Sequence, residues 1–107
     1  MAGKGGTVQI PWYATGLRGD DLADALSEIA PTALHYGATA YSLTRSRDDK
    51  YKFLLTADFP EYEGFTNWWE GKEFQAFRTH YSGYYGISVI YNWADTLVSG
   101  TASYATN

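Results

Sequence analysis

The residues best suited to chemistry lie close together, within residues 66–81, which read TNWWEGKEFQAFRTHY. Arg78 carries a planar guanidinium that can clamp a ligand carboxylate or phenolate, although an arginine on an apolar helix often rests its stem on the surface instead. His80 can act as a general base near neutral pH if a carboxylate orients it, or it can be a plain surface histidine. We take Arg78 and His80 as candidate catalytic residues.

The sequence contains none of the familiar catalytic or cofactor motifs. Its two histidines, His35 and His80, fall on different predicted elements, and the chain has no cysteine, which argues against a zinc or non-haem iron site. No nucleophile elbow, P-loop or dinucleotide fingerprint is present. The acidic pairs at 20–21 and 48–49 are interpreted as helix caps and solvated loops. We therefore predict no metal and no cofactor.

Composition limits the partners and the organisation of the chain. A length of 107 residues predicts one domain, and a net charge of −4 argues against nucleic acid or an anionic membrane as partner. The sequence has no apolar run of membrane-spanning length and no signal-peptide pattern, so we expect a soluble, cytoplasmic protein. We expect a flexible segment 1–6, a domain 7–98, and a tail 99–107 that is flexible or docked on a partner.

Hydrophobic periodicity predicts alternating strands and helices. Pro11 argues that the first strand lies at a sheet edge or carries a bulge, and Gly71 interrupts the second helical region. The predicted elements are strand 7–15, a helix from Asp20 or Asp21 to about Ala30, a short turn 32–36 closed by Gly37, strands 38–47 and 51–58 in a hairpin, helical pieces 64–70 and 72–81, and strand 84–95.

This order is the ferredoxin-like βαββαβ arrangement, an α+β fold in which a four-stranded antiparallel sheet carries its helices on one face. Leu54 is predicted to point away from Phe53 and Leu55, and Ile90 away from the apolar residues of the last strand. Both faces of the sheet would then be apolar, and the second face would need a cover. We predict a homodimer packed sheet to sheet, or a higher oligomer built from it.

Aromatic residues make up 18% of the chain, with ten Tyr and four Trp. Such an excess is typical of a pocket for a flat ligand or of an oligomer interface. Hydroxyl and indole groups around an apolar chamber suit a planar phenolic molecule, and they suit a satisfied core equally well. A slip of one residue in the strand register would invert the lining. The predicted ligand-binding residues are Tyr13, Tyr41, Asn67, Trp68, Tyr91 and Trp93.

The stretch GFTNWWEGKEFQAFRTHY, which follows the strand YKFLLTADF, resembles the antibiotic biosynthesis monooxygenase family of dimeric α+β barrels. The residues that carry the resemblance are Trp68, Phe74 and Phe77, and the topology covers roughly residues 8–95. The resemblance implies a ferredoxin-like protomer, a sheet-to-sheet dimer and a pocket between helices and sheet. It also implies oxidation of polycyclic aromatic substrates with no bound metal or flavin.

The same window is similar to the haem-degrading branch of that family. Trp68 takes the place of the tryptophan that ruffles the haem there, whereas Arg78 stands where that branch has its iron-binding histidine. His80 lies two residues further on, about 200° around the helix, and residues 9–13 contain no pocket asparagine. These departures favour a pocket without a cofactor over a haem site.

Two functions from different classes remain open at the level of the sequence. The first is a cofactor-free monooxygenase acting on a planar aromatic or polyketide-like substrate. The second is a non-catalytic ligand-binding or assembly subunit whose aromatic residues serve oligomerisation.

Overall fold

The computed structural model describes residues 5–102, and the terminal segments 1–4 and 103–107 lie outside the described residues. No helix in the described range is long and apolar enough to cross a bilayer. The elements in chain order are β1 Gly6–Tyr13, α1 Gly19–Ile29, a 3-10 helix Ala30–Tyr36, β2 Ala40–Arg45, β3 Lys52–Phe59, α2 Tyr62–Trp69, α3 Lys72–His80 and β4 Asn92–Asp95.

The four strands form one antiparallel sheet in the order β2-β3-β1-β4. The hairpin of β2 and β3 forms as predicted, and β1 lies between β3 and β4, with Ile10 opposite Leu55. This confirms the ferredoxin-like α+β fold. The predicted element boundaries agree with the structure to within two residues for all elements except the last strand, and the predicted turn 32–36 is a 3-10 helix.

One face of the sheet carries the apolar core, because side chains alternate along a strand. Val8, Ile10 and Trp12 of β1 are buried on this face together with Phe53 and Leu55 of β3. The helices cover it. The predicted apolar stripe of α1 is buried against it, and its members are Leu22, Ala25, Leu26 and Ile29.

The prediction of one long strand over residues 84–95 is wrong. Only Asn92–Asp95 forms a strand, and Tyr85 makes a single isolated bridge to Ala14. Ile87 and Ile90 lie outside the sheet and are 89% and 74% exposed. The pairing of β1 with β4 stops two residues before Pro11, which has no N–H to offer a neighbouring strand. Beyond that point β1 has β3 as its one strand neighbour, in keeping with the predicted edge position of this proline.

The prediction that both sheet faces are apolar is also wrong. Leu54 does lie on the second face, where it is 38% exposed, but Ile90 does not. Polar side chains fill most of this face and bond one another, as in the contact of Thr7 Oγ1 with Asp58 Oδ1 at 2.6 Å. The polar residues of this open face are Thr7, Gln9, Ser42, Thr44, Lys52, Thr56, Asp58 and Asn92.

The junction of α2 and α3 is held against the 3-10 helix at Gly71. Tyr36 donates a hydrogen bond from its hydroxyl to Glu73 Oε1. A Cβ placed on Gly71 would lie 2.5 Å from Tyr36 Oη and 2.8 Å from the carbonyl oxygen of Asn67. The glycine is therefore required for this close approach and fixes the angle between the two helices.

Gly71→Ala is expected to lower the free energy of unfolding by about 1–3 kcal/mol, the usual penalty for forcing an extra carbon into a packed site. Denaturant unfolding measures the change. Gly16→Ala is the matched control, since a Cβ at Gly16 meets nothing within 4 Å. Equal stabilities of the two variants would contradict the packing described for the junction.

The Tyr36 hydroxyl makes stability at this junction depend on pH. Its hydrogen bond is the main cause that lowers the pKa of Glu73 below the ordinary 4.5, and the same bond raises the pKa of Tyr36 above 10.0. The stabilisation of the folded state by this hydrogen bond is therefore present above pH 4.5 and is lost as the pH falls through the lowered pKa of Glu73.

Tyr36→Phe is accordingly expected to lower the melting temperature at neutral pH and to match the wild-type protein once Glu73 is protonated. Thermal unfolding from neutral to acidic pH tests this. A difference in melting temperature that persists unchanged into acid would contradict the assignment of the effect to the Glu73 carboxylate.

Candidate functional site

The chamber expected between helices and sheet is occupied by the chain's own aromatic rings. Trp12 lies at its centre, with its ring centroid 6.2 Å from that of Phe74, 5.6 Å from Phe77 and 4.9 Å from Tyr85. All four side chains are buried. The candidate site therefore lies at the edge of this packed cluster, where rings become accessible.

Five aromatic residues pack together beside the cluster and form what we call the aromatic wall, in which Phe65 is fully buried and the other four rings are partly exposed. Tyr62, Phe65 and Trp69 come from one face of α2, and Tyr91 and Trp93 come from the segment that leads into β4 and from β4 itself. Neighbouring ring centroids are 4.7 Å apart for Phe65 and Tyr91, and 5.1 Å apart for Tyr62 and Trp93. Tyr62 and Tyr91 are 42% and 37% exposed, so a flat molecule can reach the wall.

Arg78 of α3 closes one end of the aromatic wall. Its Cζ atom lies 4.5 Å from the ring centroid of Trp69 and 5.5 Å from that of Phe74. Its Nη2 donates a hydrogen bond of 2.8 Å to the carbonyl oxygen of Trp69. Stacking on the rings and this bond fix the plane of the guanidinium.

Two buried N–H donors near this end have no acceptor within residues 5–102. They are Nη1 of Arg78 and Nε1 of Trp12. Buried polar groups in folded proteins nearly always have a partner, so a donor without one requires a specific explanation. In the described part of the chain these two are the buried side-chain nitrogen or oxygen atoms that lack a partner.

Tyr85 and Tyr91 keep their protons because their pKa values are raised. Burial is the main cause that raises the pKa of Tyr85, and the Arg78 charge opposes it. Burial also raises the pKa of Tyr91, with smaller contributions from Tyr62 and Glu70. Both phenols are therefore neutral near neutral pH and act as hydrogen-bond donors, not as bases.

Two of the predicted site residues, Tyr91 and Trp93, lie in the aromatic wall, and a third, Arg78, stacks on the wall residue Trp69. Trp68 lies apart from them in the core, fully buried, where its Nε1 donates a hydrogen bond of 2.9 Å to Thr32 Oγ1. Asn67 is exposed on α2. The two adjacent tryptophans thus take different positions, with Trp68 in the core and Trp69 in the wall.

The remaining predicted site residues lie elsewhere. Tyr13 is on the open face of the sheet and Tyr41 is exposed on β2. His80 ends α3 and packs edge-on against Tyr81, with ring centroids 4.6 Å apart. It lines a separate groove of about 390 Å³ between α1 and α3 that also includes Glu28.

Trp12 and Trp69 were not among the predicted site residues. For Trp69 the signal was present, since its spacing from Phe65 and Tyr62 places three rings on one helical face. For Trp12 no sequence signal exists, because an indole nitrogen without an acceptor is visible only once the core is packed.

A larger open cleft, of about 720 Å³, lies at the edge of the sheet near Thr7, Asp58 and Asp95. Asp58 already accepts the hydrogen bond of Thr7, and none of the unpartnered buried donors lines this cleft. Within residues 5–102 no three His, Cys, Asp or Glu side chains are placed to hold a metal ion. The aromatic wall with Arg78 therefore remains the candidate site.

The fold is α+β of the ferredoxin-like class, and solved structures share this fold. A protein from Nitrosomonas europaea, provisionally described as an antibiotic biosynthesis monooxygenase, superposes with a TM-score of 0.80 at 11% identity, covering 91% of this chain and 94% of that one. SnoaB from Streptomyces nogalater, described as a cofactor-independent oxygenase, gives a TM-score of 0.75 at 12% identity over 90% and 96% of the two chains.

A second provisionally described antibiotic biosynthesis monooxygenase, from Bordetella bronchiseptica, gives a TM-score of 0.75 at 12% identity over 89% of this chain and 99% of that one. No protein-family model matches the sequence, and no curated protein matches it significantly. The resemblance proposed from the sequence is thus confirmed at the level of the fold, which these monooxygenase-type proteins share with this chain.

The structural role of Trp68 can be tested by a double-mutant cycle with Thr32. Trp68→Phe and Thr32→Val each remove the hydrogen bond between them, so the double variant is expected to lose about 0.5–1.5 kcal/mol less than the sum of the single variants. Denaturant unfolding gives the three free energies. Thr7→Val on the open face is the control and is expected to add independently to Trp68→Phe. Full additivity with Thr32→Val would contradict the bond.

Proposed function

We propose that the protein binds a planar, hydroxylated aromatic or polyketide-like molecule on the aromatic wall and oxidises it as a cofactor-free monooxygenase. One observation carries the proposal: the wall ends at Arg78, whose guanidinium stacks on Trp69 and whose buried Nη1–H has no acceptor within residues 5–102. The shared fold with a protein described as a cofactor-independent oxygenase supports it.

The wall suits a flat ligand because neighbouring rings from α2 and from the β4 segment present their faces and edges side by side. Aromatic pairs are favourable in stacked and in edge-to-face arrangements, so a polycyclic substrate can pack against Tyr91 and Trp69, whose own rings already meet edge-to-face with centroids 5.5 Å apart. A hydroxyl group at one end of that substrate would then lie beside Arg78. The indole of Trp93 continues the surface at the other end.

A substrate of this class can supply all the electrons that the reaction needs. In a hydroxylated anthrone, the ring methylene carbon loses both C–H bonds and gains a C=O bond. One atom of O₂ becomes the carbonyl oxygen, and the other leaves as water with the two hydrogens. Four electrons pass from substrate to O₂, so the reaction balances with no further reductant.

Ionisation of the substrate is the step to which this chain can contribute. A phenolate or enolate transfers an electron to O₂ far more readily than the neutral molecule does. A guanidinium in a partly buried site stabilises the anion and lowers the pKa of the bound hydroxyl. Tyr85 and Tyr91, both neutral, add hydrogen-bonding capacity without competing for the proton.

A non-catalytic ligand-binding subunit is the second candidate function. It is favoured by the filled chamber, since the rings around Trp12 leave the ligand at the edge of the cluster, not enclosed within it. Binding of the aromatic compound without any consumption of oxygen would decide for this candidate.

Oxygen uptake with a hydroxylated anthrone tests the catalytic proposal. Trp69→Ala and Arg78→Met are each expected to lower kcat/KM by about tenfold to a hundredfold, the effect of losing a contact to a charged group worth about 1.5–3 kcal/mol. Tyr51→Ala, an exposed aromatic on the β2–β3 hairpin, is the matched control and is expected to keep wild-type kcat/KM. Equal activity in all four proteins would refute a role for the wall.

We also propose that two copies pair through the open face of the sheet, as a cytoplasmic homodimer. Leu54, Tyr13 and Pro11 form an exposed apolar group on that face. Leu97 and Val98, just after β4, are almost fully exposed, and a second copy could cover them. The polar residues around this group can make hydrogen bonds across the interface.

Leu54→Glu is expected to shift the protein from dimer to monomer, because it would bury a charge against the apolar group of the partner. Sedimentation velocity measures the species present. Leu34→Glu, at a similarly exposed leucine on the 3-10 helix, is the control and is expected to leave the dimer intact. A wild-type protein that sediments as a monomer would refute the proposal directly.

A further inference from the structure

The two N–H donors that lack an acceptor belong to different elements but border on the same rings. Trp12, on β1, is packed against Trp69, Phe74 and Tyr85. Arg78, on α3, stacks on Trp69 and Phe74, and its charge acts on the Tyr85 hydroxyl. The two donor side chains therefore share Trp69 and Phe74 as packing neighbours, and both border on Tyr85.

The Arg78 guanidinium has one arm engaged already. Nη2 donates to the carbonyl oxygen of Trp69, and Nη1 is the buried arm without a partner. A carboxylate is bound best by both arms of an arginine in parallel, an arrangement that this bond opposes. One arm of Arg78 together with one indole N–H suits a single oxygen atom instead.

We infer that Trp12 Nε1 and Arg78 Nη1 together bind one anionic oxygen of the ligand, a phenolate or enolate, and that Trp12 is a binding residue of the site. This inference rests on the proposed function, whose substrate it restricts to molecules with an ionisable hydroxyl or an enolisable carbonyl. The indole is 1% exposed, so water competes weakly for its N–H, and hydrogen bonds to a charged acceptor are strong in such surroundings.

The oxygen reaches the two donors past Tyr85. This residue is held by its bridge to Ala14, and residues 86–91 that follow it form no helix or strand. Displacement of the Tyr85 ring would therefore open the site without breaking a strand or a helix. The hydroxyl of Tyr85 stays protonated and can donate to the same oxygen once it is bound.

The test uses alizarin, a dihydroxyanthraquinone whose visible spectrum reports the ionisation of its hydroxyl, and alizarin dimethyl ether, which has the same rings and cannot ionise. In the wild-type protein the pKa of bound alizarin is expected to fall by at least about one unit, a tenfold preference for the anion. The alizarin anion is expected to bind at least tenfold more tightly than the ether.

Trp12→Phe and Arg78→Met are each expected to reduce that preference at least threefold while the affinity for the ether changes less than twofold. Trp68→Phe is the matched control, since it removes a buried indole N–H that Thr32 already satisfies, and the preference is expected to persist. Circular dichroism verifies that each variant is folded. The pKa shift in the wild-type protein tests the inference even if a variant fails to fold.

The outcomes separate this inference from the proposed function. Equal binding of alizarin and its ether, with no pKa shift, would overturn the oxygen site and leave the aromatic site standing. A preference that is lost in Arg78→Met but kept in Trp12→Phe would overturn the role of Trp12. Binding of neither compound would overturn the oxygen site and the proposed function together.

Discussion

The packing of Trp12 is the constraint on which the rest of the structure depends. Its side chain rises from the central strand β1 and lies nearly parallel to Phe74, with an interplanar angle of 9°, while Phe77 and Tyr85 meet it edge-on. These contacts join the sheet, α3 and the segment after α3 in one cluster. Rings of this size bury large apolar areas, so the cluster is a major part of the hydrophobic stabilisation. Its geometry also leaves the indole N–H without an acceptor, which creates the polar end of an otherwise apolar site.

The two adjacent tryptophans that precede the break at Gly71 lie in two different environments. Residues next to each other on a helix point about 100° apart, so Trp68 and Trp69 contact different neighbours. Trp68 takes the core position and satisfies its N–H at Thr32, and Trp69 turns to the side. Because the chain bends at Gly71, α3 returns across α2 and brings Arg78 over the Trp69 ring. Local helix geometry and one close glycine contact thus assemble the candidate site.

Much of the fold could be predicted from the sequence, because periodicity records which face of an element is buried. The stripe of Leu22, Leu26 and Ile29 on α1 is an example, and the β2–β3 hairpin is another. The extent of the last strand could not be predicted, because YYGISVIYNWAD alternates along its whole length as a strand does. Most of this segment is unpaired because the pairing with β1 stops near Pro11. Arg78 and Tyr91 were predicted for the site from their chemistry. The role of Trp12 could be recognised only in the packed structure. Whether a buried N–H donor finds an acceptor depends on its surroundings and not on its residue type.

The proposed chemistry follows from what surrounds the aromatic wall. A general base would need a carboxylate or a neutral histidine at the ligand, but His80 lies about 200° around α3 from Arg78 and in the groove beside α1. The groups that border the site include a cation, an indole donor and two neutral phenols, which stabilise a negative oxygen, and the Glu70 carboxylate, whose charge acts on Tyr91. The cation and the hydrogen-bond donors of this set lower the pKa of a bound hydroxyl. A substrate that is acidic enough to ionise there would carry its own reactivity toward O₂, and the protein would need only to bind and orient it.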